Sequence, residues 1–125
     1  MSKTIIIADS DYYICKLVSR FLAEEGYTII TASDGYEALD TARLTPPTAI
    51  LADILLPRLD GFALCRLIKS DDATKDVVAV VLCSTLASEE RALVAGADAF
   101  MRKPLEKKRL LTTIDEATIK RNAFA

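Results

Sequence analysis

The feature that most constrains this chain is a strict alternation between two hydrophobic periods. Thr4–Ala8 (TIIIA) is a short β-branched run that stops at Asp9. From Tyr12 to Glu25, Ile14, Leu17, Val18, Phe21 and Leu22 recur at helical spacing, which predicts an amphipathic helix with those side chains inward. Gly26 stands where a helix C′ residue belongs. Thr28–Ala32 predicts a second strand, and Ser33-Asp34-Gly35 turns the chain into a helix reaching about Leu44, broken by Thr45-Pro46-Pro47. Ala49–Ala52 predicts a third strand, apolar on both faces, which again stops at an aspartate, Asp53. A third helix is expected from Gly61 to about Ser70, with Phe62, Cys65 and Ile68 on one side, followed by a charged loop over Asp71–Asp76. Val77–Leu82 is the most apolar strand and should be central. A short helix over Ser88–Ala95 ends at Gly96, and Ala99–Arg102 is the last strand before Lys103-Pro104. Leu105 to about Arg121 closes the chain as a helix, with Leu110, Leu111, Ile114 and Ala117 inward.

Five strands alternating with five helices imply βαβ units and a parallel sheet. Strands that are apolar without alternation agree, because a parallel sheet is covered on both faces. The expected fold class is therefore α/β, a doubly wound, flavodoxin-like five-stranded sheet of order 2-1-3-4-5, with residues 1–125 forming one domain. Half the residues are apolar, enough for a core without disulfides or metal staples.

The balance of charge, −2 in all, argues against bulk-charge attraction to nucleic acid or to a membrane surface. No run approaches membrane-spanning length and no secretory leader is legible after Met1, so a soluble, cytoplasmic protein is expected. The chain has no histidine, which removes imidazole acid/base chemistry and histidine metal ligands. Its three cysteines are far apart, and Cys15 and Cys65 fall on apolar helix faces, as small buried hydrophobes do.

Sites in open parallel sheets form beyond the carboxyl ends of the strands, where strand order reverses. Three strands here end on charge at that edge: Asp9 after the first, Asp53 after the third, Lys103 after the fifth. Each has an ordinary reading alone. Asp9 or Asp11 could cap the first helix, Asp53 could form a turn, and Lys103 could be a solvated lysine. Together they place two carboxylates and an ammonium at one edge, a set suited to a divalent cation and a phosphoryl group.

Three segments then carry a specific resemblance. Ile5-Ile6-Ile7-Ala8-Asp9, Asp53-Ile54-Leu55-Leu56-Pro57-Arg58-Leu59-Asp60-Gly61-Phe62 and Gly96-Ala97-Asp98-Ala99-Phe100-Met101-Arg102-Lys103-Pro104 resemble the receiver domain of bacterial two-component response regulators. The likeness runs over essentially the whole chain. It implies that Asp53 accepts a phosphoryl group from a histidine kinase or phosphotransfer protein. It implies that Asp9 and Asp53, with the backbone carbonyl of Leu55, form the Mg²⁺ pocket. Lys103 matches the lysine that contacts the acyl phosphate, and Phe100 matches an aromatic whose rotamer reports the switch. The partner surface implied is the fourth helix, fifth strand and fifth helix, including Arg102, Lys107, Lys108 and Arg109, for a downstream protein or a second copy. No enzymatic or DNA-binding output segment is present in these residues.

Two positions depart from the pattern. The family has two adjacent acids after the first strand, whereas Asp9 is followed by Ser10, which predicts reduced Mg²⁺ affinity unless Asp11 compensates. Where the family has a Thr or Ser at the end of the fourth strand, an ungapped count from Asp53 lands on Cys83; a one-residue shift would give Ser84. A thiol donates weakly and would couple the switch poorly. The stretch from Cys83 to Gly96 is also about two residues short, which predicts a reduced fourth helix. A degenerate receiver that acts as a phosphorylation-independent binding module is therefore the alternative. More distant is a haloacid-dehalogenase-like phosphatase using Asp9, suggested by Asp9-Ser10-Asp11 but lacking the usual residue at Tyr13. A flavodoxin-like cofactor site is disfavoured, because no Ser/Thr/Gly-rich loop follows the first strand.

Overall fold

The computed structural model describes residues 3–86 and 88–123. Its elements run β1 (Thr4–Ala8), α1 (Tyr12–Ala23), β2 (Thr28–Ala32), α2 (Gly35–Leu44), β3 (Ala49–Asp53), α3 (Gly61–Ser70), β4 (Ala79–Ser84), α4 (Glu89–Val94), β5 (Ala99–Arg102) and α5 (Lys107–Ala123). The strands form one parallel sheet in the order β2-β1-β3-β4-β5, as the alternating periods imply.

Side chains alternate along each strand, so each strand feeds two cores. Ile6, Ala8, Ile50, Ala52, Val80 and Leu82 point toward α2, α3 and α4, where they meet Leu39, Leu64 and Ile68. Ile5, Ile7, Leu51, Val81, Cys83 and Met101 point the other way and pack on Val18 and Leu22 of α1 and Leu110 and Ile114 of α5. The three inner strands are buried along nearly their whole length, which is why they read as continuous apolar runs.

Helix starts follow the capping logic of the sequence. Asp34 and Asp60 each accept a hydrogen bond from the backbone N–H three residues on, and Asp11 accepts from Tyr13 and Ile14. Gly26 has φ +92°, the left-handed conformation expected of a residue that ends α1. Gly61 is required for a different reason. A Cβ there would lie 2.6 Å from the carbonyl oxygen of Asp53 and 2.7 Å from Cα of Ile54, so α3 can start against the end of β3 only without a side chain.

Several boundaries differ from the sequence expectation, β3 for instance running through Asp53 rather than stopping at Ala52. α1 ends at Ala23, with Glu24 as its C-cap, and Leu17 is half exposed rather than inward. Periodicity alone does not distinguish a stripe that meets the sheet from one beside it. β4 runs over Ala79–Ser84, two residues later than Val77–Leu82, because Thr74 holds the preceding turn. Its hydroxyl donates to the Ile68 carbonyl and its own carbonyl accepts from Val77 and Val78, which leaves Val77 outside the sheet. α4 is only six residues long, with Ser88 at its N-cap. α5 begins at Lys107 rather than Leu105, since the Glu106 carboxylate accepts from the N–H groups of Lys108 and Arg109. Among the described residues, no helix is long and apolar enough to cross a membrane.

Candidate functional site

The alternation of side chains brings the site together. Asp53 lies two residues beyond Leu51 and Lys103 two beyond Met101, while Asp9 lies two beyond Ile7. All three therefore follow positions that face α1 and α5. Their convergence is direct. The Lys103 ammonium donates to Asp9 Oδ2 at 2.7 Å and to Asp53 Oδ2 at 2.9 Å. The three side chains are only 9%, 4% and 14% exposed, so the charges interact with little solvent screening. A cis peptide joins Lys103 to Pro104 at this edge.

Backbone groups fix the second oxygen of each carboxylate. Asp9 Oδ1 accepts from the Asp11 N–H at 2.9 Å, and Asp53 Oδ1 accepts from the Leu55 N–H at 3.1 Å. Burial opposes the charge on Lys103, but the hydrogen bonds to Asp9 and Asp53 outweigh it and hold the ammonium above its ordinary pKa. It stays protonated throughout the neutral range. An opening of about 310 Å³ lies beside Asp9, lined among others by Ser10, Thr31, Ser33 and Glu37.

The register across β3 and β4 pairs Asp53 with Cys83, so these two side chains leave the sheet on the same side. Ser84 therefore points to the opposite side, where its Oγ accepts from the Leu86 N–H. The Cys83 thiol is buried and donates to the Ala52 carbonyl at 3.5 Å. Burial pushes its pKa up to about 12; Lys103 pulls it down, whereas Asp53 and Asp9 add to the rise. Cys65, pushed up to about 11 chiefly by burial, and Cys15, also raised by burial, are likewise thiols at neutral pH.

The acids after β1 also find definite places. Ser10 is exposed, and Asp11 Oδ1 is committed to the Tyr13 and Ile14 N–H groups as the cap of α1. One oxygen of Asp11 is thus taken up in capping α1. Among the described residues no group of three or more His, Cys, Asp and Glu is arranged to hold a metal ion. Asp9 and Asp53 nevertheless make a donor set that fits Mg²⁺, which takes one or two carboxylates and completes its shell with water and phosphate oxygens. The Leu55 side chain is exposed. Phe100 is half buried against the α2–α4 core, and its ring helps line an opening with Glu89, Glu90, Arg102 and Arg109. Of the basic residues expected to form a patch there, Lys107 instead pairs with Glu24 of α1 at 2.9 Å.

Sequence reasoning missed one functional support. Asp98 Oδ2 accepts from the Lys69 ammonium at 2.6 Å and from the Val80 N–H at 2.8 Å, and Lys69 also donates to the Val78 carbonyl. This ion pair, 15% and 5% exposed, ties the end of α3 and the start of β4 to the turn that feeds β5 and hence Lys103. The residue types alone carried no signal for it, since α3 and β5 are adjacent only in the fold.

Comparison with known proteins agrees with this architecture. A family model described as the response regulator receiver domain matches residues 5–115. The chain is 34% identical over 112 residues to Protein PilG of Pseudomonas aeruginosa, covering 88% of this chain and 83% of that one. It is 32% identical over 111 residues to Response regulator MprA of Mycobacterium bovis, covering 89% of this chain and 48% of the relative, so it spans about half the length of such proteins. The receiver domain of sensor histidine kinase PA1611 from Pseudomonas aeruginosa PAO1 superposes with a TM-score of 0.85 at 23% identity, covering 94% of this chain and 98% of that one. That structure has a magnesium ion coordinated in its active site cleft; at this identity the likeness speaks for the fold alone.

Proposed function

The chain belongs to the response regulator receiver domain family, and from that premise we propose that Asp53 is the phosphoacceptor of a signalling switch. The observation that carries the reading is the Lys103 ammonium held between Asp53 and Asp9 at the carboxyl edge of the sheet. A carboxylate oxygen of Asp53 attacks phosphorus of a phosphohistidine on a kinase or phosphotransfer protein. The new O–P bond forms as the P–N bond breaks, and the departing imidazole keeps the electron pair and takes up a proton. Lys103 neutralises charge on the transferred oxygens, and Asp9 keeps that ammonium aimed at the site. Leu55 N–H limits rotation of the Asp53 carboxylate. Asp9, Asp53 and the Leu55 carbonyl would hold Mg²⁺, which when bound supplies further charge neutralisation at the phosphoryl group. The resulting dianion shifts a two-state equilibrium in the β4–α4 and β5 region, altering a surface read by a downstream protein.

Incubation with acetyl phosphate and Mg²⁺ tests the reading by intact mass. One phosphoryl group should be gained by this chain and none by Asp53→Asn; equal uptake by both would sink it.

A binding module independent of phosphorylation remains the second reading, and Ser10 and Cys83 favour it. Ser10 withholds an anionic oxygen from the metal, so Ser10→Asp should tighten Mg²⁺ about tenfold, measured by calorimetric titration. Unchanged affinity would mean that Ser10 does not limit the metal. Cys83 offers a weak donor already turned to the Ala52 carbonyl. Cys83→Ser should therefore enlarge the beryllofluoride-induced NMR shifts at Phe100, at a stability cost of about 2 kcal/mol or less. Shifts identical to those of the parent chain would remove Cys83 from the coupling. The phosphatase reading is weakened because the second acid of Asp9-Ser10-Asp11 is spent on capping α1.

A further inference from the structure

Arg58, in the loop that joins β3 to α3, is the one non-glycine residue with positive φ among those described, at +68°. The Leu59 N–H donates to the Pro57 carbonyl at 2.7 Å across it, which closes a tight three-residue turn. Glycine adopts such a conformation freely, whereas an arginine is strained there. The contacts that hold it all lead to the start of α2. Arg58 Nη1 donates to Asp34 Oδ2 at 3.1 Å, and the guanidinium carbon lies 5.3 Å from the centre of the Tyr36 ring. Asp34 Oδ1 accepts from the Glu37 N–H, so the carboxylate that caps α2 also anchors the arginine. Backbone contacts run alongside. The Gly35 N–H donates to the Pro57 carbonyl at 3.3 Å, and a Cβ on Gly35 would overlap the Leu59 carbonyl.

The other end of this loop bears on Asp53. The Ile54 N–H donates to the Cys83 carbonyl and the Ile54 carbonyl accepts from the Gly61 N–H, so Ile54 is tied to both β4 and α3. The next residue, Leu55, turns its N–H onto Asp53 Oδ1 while its side chain stands in solvent, so packing of that side chain does not fix it. Beyond Leu55 the loop is held from inside by buried Leu56 and from outside by the contacts of Pro57, Arg58 and Gly35 at the start of α2.

We propose that Arg58 is a positioning residue for phosphoryl transfer: braced on Asp34 and Tyr36, it holds the β3–α3 loop so that the Leu55 backbone meets the Asp53 carboxylate in the geometry the reaction requires. The inference rests on Asp53 being the acceptor. Arg58 acts through the loop rather than on phosphorus. Its ion pair and its ring contact are exposed and individually weak, so their loss should change the rate severalfold rather than by orders of magnitude.

The test compares the full chain with Arg58→Gly, Arg58→Lys, Tyr36→Leu and Asp34→Asn, each treated with acetyl phosphate and Mg²⁺. Arg58→Gly should slow phosphoryl uptake about three- to tenfold, while its urea midpoint stays no lower than the parent's, because glycine relieves the turn. The amides of Leu55 and Leu59 should lose order in that variant, with ¹⁵N order parameters falling from about 0.85 toward about 0.6. Arg58→Lys keeps a cation for Asp34 and should recover part of the rate, and Tyr36→Leu should fall between the parent and Arg58→Gly. Asp34→Asn keeps a cap for α2 but releases the arginine, so it should slow uptake as well. Uptake that is unchanged or faster in Asp34→Asn would overturn the proposal, since an arginine that attracted the anionic donor directly would be freed by that change. A loss of rate in Arg58→Gly that merely follows a fall in its urea midpoint would overturn it too. A parent chain that takes up no phosphoryl group removes Asp53 as the acceptor. A parent that does, with Arg58→Gly matching it in rate and in loop order, removes only the role of Arg58.

Discussion

Replacing Lys103 with Met is expected to slow phosphoryl uptake by about 10²–10³-fold, the loss typical when one preorganised donor is removed from a developing charge. The ammonium is the common partner of Asp9 and Asp53 and is itself nearly buried. Its removal leaves two carboxylates facing each other with backbone N–H groups as their remaining described partners. The fold should lose about 3 kcal/mol at neutral pH, as when one member of a buried pair is deleted. The pH dependence has a definite sign. In the parent, Lys103 is held above its ordinary value, so its contribution is complete below the unfolded lysine pKa and is lost only as pH rises into strongly alkaline solution. Urea denaturation of both proteins at neutral and at increasingly alkaline pH measures it, the deficit shrinking only toward strong alkali. Equal stability of the two proteins at neutral pH would contradict the shared-ammonium account.

The second large effect concerns a residue remote from phosphorus. Asp98→Ala is expected to destabilise the fold by about 3–5 kcal/mol, because it strands the nearly buried Lys69 ammonium and removes the acceptor of the Val80 N–H. Asp98→Asn retains an acceptor for Val80 and should cost less. The same change bears on function, since Asp98 lies at the entry to β5 and Lys103 just beyond its end. A loosened β5 should blur the position of the ammonium and slow phosphoryl uptake even in molecules that remain folded. Equilibrium unfolding in urea measures the first effect. A midpoint within experimental error of the parent would show that the pair contributes nothing.

Most of the sheet was legible because its signal is local. Thr4–Ala8, Thr28–Ala32 and Ala99–Arg102 begin and end where the apolar runs do, and strand alternation with helices dictates parallel pairing. Asp9, Asp53 and Lys103 were legible for the same reason, as charges at the ends of buried strands. What escaped depends on contacts between distant segments. Val77 is as apolar as its neighbours, yet the Thr74 turn excludes it from β4. The pairing of Asp53 with Cys83, which turns Cys83 rather than Ser84 toward Asp53, is likewise a matter of how β3 and β4 meet. Leu17 fits the helical period of α1 but lies beyond the edge of what the sheet covers. The role of Asp98 needed the three-dimensional approach of Lys69, which no spacing encodes.

The central claim, that the carboxylate gathered with Asp9 by Lys103 is the one that accepts phosphate, is most directly tested by locating the modified residue. After reaction with acetyl phosphate and Mg²⁺, reduction of the acyl phosphate with borohydride converts the phosphorylated aspartate to homoserine, which peptide mass spectrometry can place. The account predicts homoserine at position 53 alone. Homoserine at position 9, or at another acid with position 53 intact, would contradict it.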